Sequence, residues 1–256
     1  MINMKEMEIK FGEYIYSELF FTSEQRRFIN LLLSSGDAYI FGGVIRDFFL
    51  EKSGTVEHRD IDIVVKKFGS DLERYIKERM VRKTRFGGYK FWLGEKEIDI
   101  WELKKTWAIH HKPKFELMLD ELLPATSFFN ITAIVFLMAE NKFLYNKKFE
   151  QGIKSRVLDI VYEPNPFPEL CIVKTIEYVQ KYGLRVSKGL RKYILRHFGR
   201  TNKKLISIQL SHYGLIKYNE RIINQFIEML RLQDANKRTY RKKTNGSQLE
   251  LQIGGK

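Results

Sequence analysis

Apolar and polar positions change period along this chain, and the changes divide it. Residues 13–34 carry apolar positions at helical spacing. Thr22-Ser23-Glu24-Gln25 within them has the form of a capping box, which would split the segment into two helices. Residues 37–41 read as a short strand ending on Gly42-Gly43. The spacing then predicts a helix over 44–51 with Val44 and Phe48 inward, a loop over 52–55 and a strand over 61–65. Ser70 caps a helix expected over 71–79, with Asp71 and Glu73 in the first turn, where the helix dipole favours acids. Residues 84–103 read as two strands joined by a turn at 93–96. Tyr89, Phe91 and Leu93 share one face of the first, and Glu97, Asp99 and Trp101 share one face of the second.

Beyond residue 125 the pattern turns helical. Thr126 or Ser127 caps a helix expected to run to about Glu140, and a brief strand follows over 142–145. Pro164, Pro166 and Pro168 make a stiff, extended connector. Helices are expected over 169–182, 187–198, 202–210 and 216–234, and the polar tail from Asn236 reads as frayed or disordered. The fold class is therefore α+β. Residues 1–125 form a head with a small mixed sheet and flanking helices, 126–235 an all-helical neck and basic domain, and 236–256 a basic flexible tail.

Composition narrows the class. Hydrophobic residues make up 44% of the 256, enough for a substantial core. The longest apolar run, 128–139, falls short of the roughly 18 residues that span a bilayer. The opening residues lack the apolar stretch of a signal peptide, so a cytoplasmic protein with no membrane partner is the expectation. A single cysteine, Cys171, rules out an internal disulfide and a cysteine zinc site. The formal charge is +14, and its placement matters more than its size: from Lys174 onward stand 19 Lys/Arg against 5 Asp/Glu, so the preceding residues are balanced. An excess confined to the last third favours a polyanionic partner, nucleic acid before anionic lipid.

Asp60 and Asp62 stand two apart on an expected strand, so both carboxylates share a face while Ile61, Ile63 and Val65 turn to the core. Neighbouring carboxylates repel, and hard divalent ions such as Mg²⁺ or Mn²⁺ relieve that repulsion through oxygen ligands. Asp99 in Glu97-Ile98-Asp99-Ile100-Trp101 repeats the design and is the best third ligand, with Glu97 as the alternative. Gly42-Gly43 joins a strand to a helix, where bare backbone N–H groups and the helix dipole can hold phosphate oxygens. Arg46 lies one turn further on and reaches either a phosphate or Asp60. Asp47 orients Arg46 or supports the metal shell.

Gly42-Gly43-Val44-Ile45-Arg46-Asp47 followed by Asp60-Ile61-Asp62 resembles the head of the polymerase beta-type nucleotidyltransferases, in the bacterial branch of CCA-adding tRNA nucleotidyltransferases and poly(A) polymerases. In that family GGxxRD contacts the nucleotide phosphates and DxD holds two Mg²⁺. Arg85-Phe86-Gly87 and the hairpin to Asp99 resemble the next segment. Ser127–Ala133 faintly resembles the family's DFTINA motif, with Phe128 in place of its Asp and Thr132 in place of its Asn. Over 170–186, Cys171 and Lys174 stand where the family presents arginines to the triphosphate, and Gly183-Leu184 matches its Gly-Phe. The likeness covers residues 38–105 and, more thinly, 106–186.

The resemblance implies metal-dependent transfer of a nucleoside monophosphate from an NTP, ATP or CTP, with release of pyrophosphate. The basic third points to an RNA 3′ end, tRNA or tRNA-like, as acceptor. Lys188, Arg191, Lys192, Arg196, Arg200, Lys203 and Lys204 are the expected phosphate contacts. Tyr193, His197 and Phe198 lie among them, as stacking partners for a base or as core. Transfer to a protein or small molecule such as an antibiotic, and a catalytically inactive nucleic-acid-binding protein, are the alternatives.

Overall fold

A computed structural model describes residues 2–51, 60–84, 86–111 and 119–244. The expected loop over 52–55, Arg85 and the last residues of the tail lie outside them. Two compact units divide the chain: Met1–Pro166 with Tyr182–Ser187, and Phe167–Lys181 with Lys188 onward.

In the first unit, α1 (Met4–Tyr14) runs into a wider π turn at Ile15–Leu19, and α2 (Ser23–Ser34) restarts after Thr22. The capping box is formed: the Gln25 N–H donates to Thr22 Oγ1 at 3.2 Å, and the Thr22 N–H donates to Gln25 Oε1 at 3.0 Å. Two helices therefore replace the single one that the apolar spacing allows. Strand β1 (Ala38–Phe41) leads to α3 (Gly43–Leu50), then come β2 (Asp60–Val65) and α4 (Ser70–Arg79). Strands β3 (Met80–Lys83), β4 (Tyr89–Leu93) and β5 (Lys96–Glu102) follow, with short helices α5 (Trp107–His111) and α6 (Leu119–Ala125).

The segment expected as a helix from 127 to 140 is instead a 3-10 turn at Asn130–Thr132 and strand β6 (Ile134–Leu137), paired with β7 (Lys142–Tyr145). The run has no polar face. It suits a strand buried on both sides, and β6 lies between β1 and β7 with every residue buried. The sheet thus takes in chain well past residue 125, and α7 (Lys147–Ser155) and β8 (Val157–Leu158) extend the unit further.

The mixed sheet has the order β3-β4-β5-β2-β1-β6-β7, with β2 and β5 parallel and the other pairs antiparallel. One face is the main core: Ile40, Ile61, Ile63, Ile98 and Ile100 pack with Phe11, Phe28, Ile29 and Val44 from the helices, all essentially inaccessible. The opposite face carries a smaller cluster, Tyr39, Val64, Leu123, Val135 and Leu137, and beside it the polar positions of β2 and β5.

The second unit is helical. It holds most of α8 (Pro168–Tyr182), whose last residue leads back to β9 (Arg185–Val186) of the first unit. Helices α9 (Lys188–Thr201), α10 (Leu205–Tyr213) and α11 (Glu220–Thr244) complete it around buried Ile176, Leu190, Ile194, Leu205, Ile227 and Leu230. The helix expected to stop at 234 continues to Thr244, so the flexible tail expected from 236 does not begin there. Among the described residues, no helix is long and apolar enough to cross a membrane.

Candidate active site

Strand register builds the acidic group. In the parallel β2–β5 pair, Asp60 faces Glu97 and Asp62 faces Asp99. Period two puts all four carboxylates on the face away from the main core. Asp60 is exposed, while Asp62 and Asp99 are half-buried. On the next strand, antiparallel to β5, Lys90 stands opposite Asp99. Its Nζ is bonded to Glu97 Oε1 and lies 3.7 Å from Asp99 Oδ2. Reading the sequence alone missed Lys90, because its position depends on which strand lies beside β5.

The charges have consequences for protonation. Burial pushes the Asp99 carboxyl above its ordinary value, the Lys90 ammonium opposes that rise, and the Glu97 charge adds to it. Burial works against the Lys90 ammonium. The hydrogen bond to Glu97 and the charges of Asp99, Glu97 and Asp60 outweigh it and hold Lys90 above the usual lysine value.

The glycine turn follows directly from β1, whose last residue, Phe41, is the register partner of Asp62. Gly42 precedes α3 with φ 68° and ψ −99°, a backbone that side-chain-bearing residues rarely adopt. Space around it is open, so the backbone conformation alone requires glycine there. Arg46 turns back over this start: a Cβ on Gly43 would lie 3.8 Å from Arg46 Nη2.

Arg46 is held in place. Its Nε donates to Asp47 Oδ1 at 2.7 Å and to the Tyr182 hydroxyl oxygen at 3.0 Å, while the Tyr182 O–H is bonded to Asp47 Oδ1. The Arg46 guanidinium also lies 5.6 Å from the Tyr182 ring centroid. Asp47 therefore orients Arg46 and is itself buried. Burial, with the Asp47 charge beside it and the Arg46 charge opposing, raises the Tyr182 phenol well above its ordinary value. Tyr182 was not visible as a site residue in the sequence, since it is 135 residues from Asp47.

Beside the acids opens a cavity of about 340 Å³. Asp62 and Asp99 form one end, and Phe41, Phe86, Trp101, Trp107 and Phe128 supply its aromatic walls. Trp101 is anchored by its indole N–H, which donates to Thr106 Oγ1 at 3.0 Å. Ser127, in the stretch likened to DFTINA, bonds Thr132 through the two hydroxyl oxygens at 2.6 Å. Asn130 ties the next layer together: its Nδ2 donates to the Val157 carbonyl at 2.8 Å, and its Oδ1 accepts from the Asp159 N–H at 2.9 Å.

The remaining sequence candidates belong to the helical unit. Lys174 is half-buried on α8. Lys188, Lys192, Arg196 and Arg200 fall at four-residue spacing and form an exposed stripe along α9, with exposed Lys203 and Lys204 after it. Arg191 is different. It is only 3% exposed, and its Nη1 donates to Gln233 Oε1 at 3.3 Å. One position off the stripe places it on the inward face, so it is not part of the exposed basic stripe. Tyr193 is likewise core, at 2% exposure, with its ring 4.2 Å from that of His197.

This mixed sheet, with a glycine turn after β1 and acids on the neighbouring strands β2 and β5, resembles in fold the solved structures of CCA-adding enzymes and a tRNA nucleotidyltransferase. A CCA-adding enzyme solved with CTP matches 90% of this chain and 55% of its own, at a TM-score of 0.62 and 16% identity. The Thermotoga maritima CCA-adding enzyme in complex with tRNA matches 89% of this chain and 53% of its own, at 0.58 and 17%. A tRNA nucleotidyltransferase with a primer tRNA and an incoming ATP analogue matches 77% and 58%, at 0.55 and 17%. The likeness at these identities is one of fold, and the chain spans about half the length of these solved structures. No protein-family model and no curated protein matches it.

Proposed function

We propose that this protein transfers a nucleoside monophosphate from ATP or CTP to the 3′ end of an RNA, tRNA or tRNA-like, in the cytoplasm, with release of pyrophosphate. The observation that carries the reading is the facing of Asp62 and Asp99 on adjacent parallel strands beside a glycine turn from which Arg46 projects. Solved structures of the same fold bear CTP, an ATP analogue or tRNA, which supports the choice of substrates.

In this reading Gly42 supplies the turn, its N–H being donated to the Ile134 carbonyl at 3.5 Å. Gly43 at the start of α3 presents its backbone N–H to the triphosphate, and Arg46, fixed by Asp47 and Tyr182, neutralises its charge. Lys174 is a further triphosphate contact, and Lys188, Lys192, Arg196, Arg200, Lys203 and Lys204 meet the RNA backbone.

Asp62 and Asp99 offer hard oxygen donors side by side, and a divalent cation relieves the burial and the Glu97 charge that raise Asp99. The donor set therefore fits Mg²⁺ or Mn²⁺ through this pair, with Asp60 next along β2. No group of three acids, histidines or cysteines among the described residues is arranged around a single point. When bound, such an ion polarises the phosphate and lowers the pKa of the attacking hydroxyl.

Incubating the protein with each labelled NTP, Mg²⁺ and total RNA, then sequencing the labelled 3′ ends, tests the reading. Label on RNA 3′ ends with stoichiometric pyrophosphate is expected. Label on protein or aminoglycoside would move the acceptor. No pyrophosphate from any NTP would leave an RNA-binding protein without catalysis.

A further inference from the structure

The aromatic cavity lies beside the acids but apart from the glycine turn and Arg46. We propose that it receives the base of the acceptor RNA's 3′-terminal nucleotide and stacks it without reading its identity. This rests on the nucleotidyl-transfer reading and adds to it the place where the acceptor lies.

The order of groups on the sheet carries the inference. Along the shared face of β2 and β5 the register pairs run Asp60–Glu97, Asp62–Asp99 and Val64–Trp101. β1 is antiparallel to β2 with Phe41 opposite Asp62, so Gly42 continues toward the Asp60 end. Trp101 and the residues after β5, Lys105 to Ala108, place the cavity's lining at the other end, and neither Gly42, Gly43 nor Arg46 lines it. The acids thus separate a phosphate-holding turn from an aromatic cavity.

Phosphoryl transfer runs in line. The acceptor's 3′ oxygen forms a bond to the α-phosphorus as the bond from that phosphorus to the α–β bridging oxygen breaks. Pyrophosphate leaves with the electron pair, and the hydroxyl proton passes to water. The attacking and leaving oxygens stand on opposite sides of the phosphorus. With the leaving pyrophosphate at the glycine turn, the acceptor's last nucleoside enters from the cavity side.

The lining suits a neutral ring better than a phosphate. Among the described residues around the cavity, Lys105 is the only cation, and its Nζ is paired with Glu102 Oε2 at 3.2 Å. Its polar lining besides the acids is the Asn165 amide and four hydroxyls bonded within the protein: Thr126 donates to the Leu123 carbonyl at 2.7 Å, Thr84 accepts from the Gly88 N–H at 3.0 Å, Ser127 bonds Thr132, and Thr106 accepts from Trp101. Five aromatic side chains make up the larger part of the cavity's ring-sized surface, and stacking on such surface tolerates any base. Trp107 is the most useful probe. It lies on a short helix against His111, with ring centroids 4.3 Å apart, and takes no part in either core cluster.

Trp92 lines no part of the cavity, so Trp92→Phe in the full chain leaves Trp101 and Trp107 as the only indoles. That protein is titrated by fluorescence with an RNA tetranucleotide bearing a 3′-hydroxyl, with the same RNA lacking its terminal base, and separately with ATP and CTP. The intact RNA is expected to quench. Removing the terminal base should weaken binding about tenfold, and changing it from A to C or U should alter binding less than about threefold. Adding Trp107→Ala, or Phe86→Ala, should raise the KM for RNA about tenfold and leave the KM for NTP unchanged.

Weaker NTP binding with RNA binding intact would assign the cavity to the incoming nucleotide's base and overturn the proposal. Equal binding of intact and terminally abasic RNA to the unsubstituted cavity would also overturn it, whatever the variants do. Failure to release pyrophosphate sinks the transferase reading alone, because the RNA titrations need no turnover.

Discussion

Lys90 faces Asp99 across the β4–β5 ladder, with Nζ 3.7 Å from Oδ2, so a fixed positive charge already stands at the edge of the acidic group. Asp99 is nevertheless held above the ordinary carboxylate range, because burial outweighs the lysine.

This predicts a pH profile. In the metal-free protein Asp99 should titrate above the usual aspartate range, and Lys90→Met should move that titration higher still by removing the opposing charge, read by NMR of the carboxyl carbon. A titration that ignores Lys90→Met would remove Lys90 from the acidic group. Stability has the opposite sign: a carboxyl with a raised folded pKa stabilises fully below its unfolded value, and that contribution is lost as pH rises through the folded one. Asp99→Asn should therefore melt no lower than the parent protein at neutral pH while losing at least about tenfold in activity, ~1.4 kcal/mol of barrier. Asp60→Ala and Asp62→Asn should abolish transfer with normal melts. Parent-like turnover in purified Asp62→Asn would remove the pair from the chemistry.

Tyr182 is a positioning residue for Arg46. Tyr182→Phe removes one hydrogen bond to each of two charged side chains, Arg46 and Asp47, worth about 1.5–3 kcal/mol apiece, so the KM for NTP should rise about tenfold or more with kcat changed less. Arg46→Ala should raise it further. RNA binding measured in parallel should be unaffected by either change, and a selective loss of RNA binding would reverse the assignment of Arg46.

Gly152 guards a structural network. A Cβ there would meet Asn130 Nδ2 at 2.1 Å and displace it from the Val157 and Lys148 carbonyls. Gly152→Ala should cost about 1–3 kcal/mol through the groups left unsatisfied, read as a lower Tm. Activity per folded molecule should be retained, and a Tm equal to that of the parent would mean the helix shifts without strain.

The α9 stripe separates charge from packing. Lys188→Glu, Lys192→Glu and Arg200→Glu together should weaken RNA binding and reduce its salt slope by about 0.7 for each lost contact. Arg191→Ala, at a buried position, should lower the Tm and leave the slope alone. A slope change on Arg191→Ala would return that residue to the RNA surface.

Local chemistry was legible in the sequence wherever neighbours along the chain decide the outcome. The capping box at Thr22, the glycine turn before Arg46 and the alternation that puts Asp60 and Asp62 on one side and Ile61 and Ile63 on the other are all set by backbone period and side-chain type. Whatever depends on which elements become neighbours was left to the tertiary structure. The apolar run at 128–139 has no periodicity to separate helix from strand, and only the place between β1 and β7 makes it β6. Lys90, Tyr182 and the cavity between Trp101 and Trp107 depend on register and on segments far apart in the chain. The burial of Arg191 turns on a single position around α9, where one step of about 100° carries a charge from solvent to core.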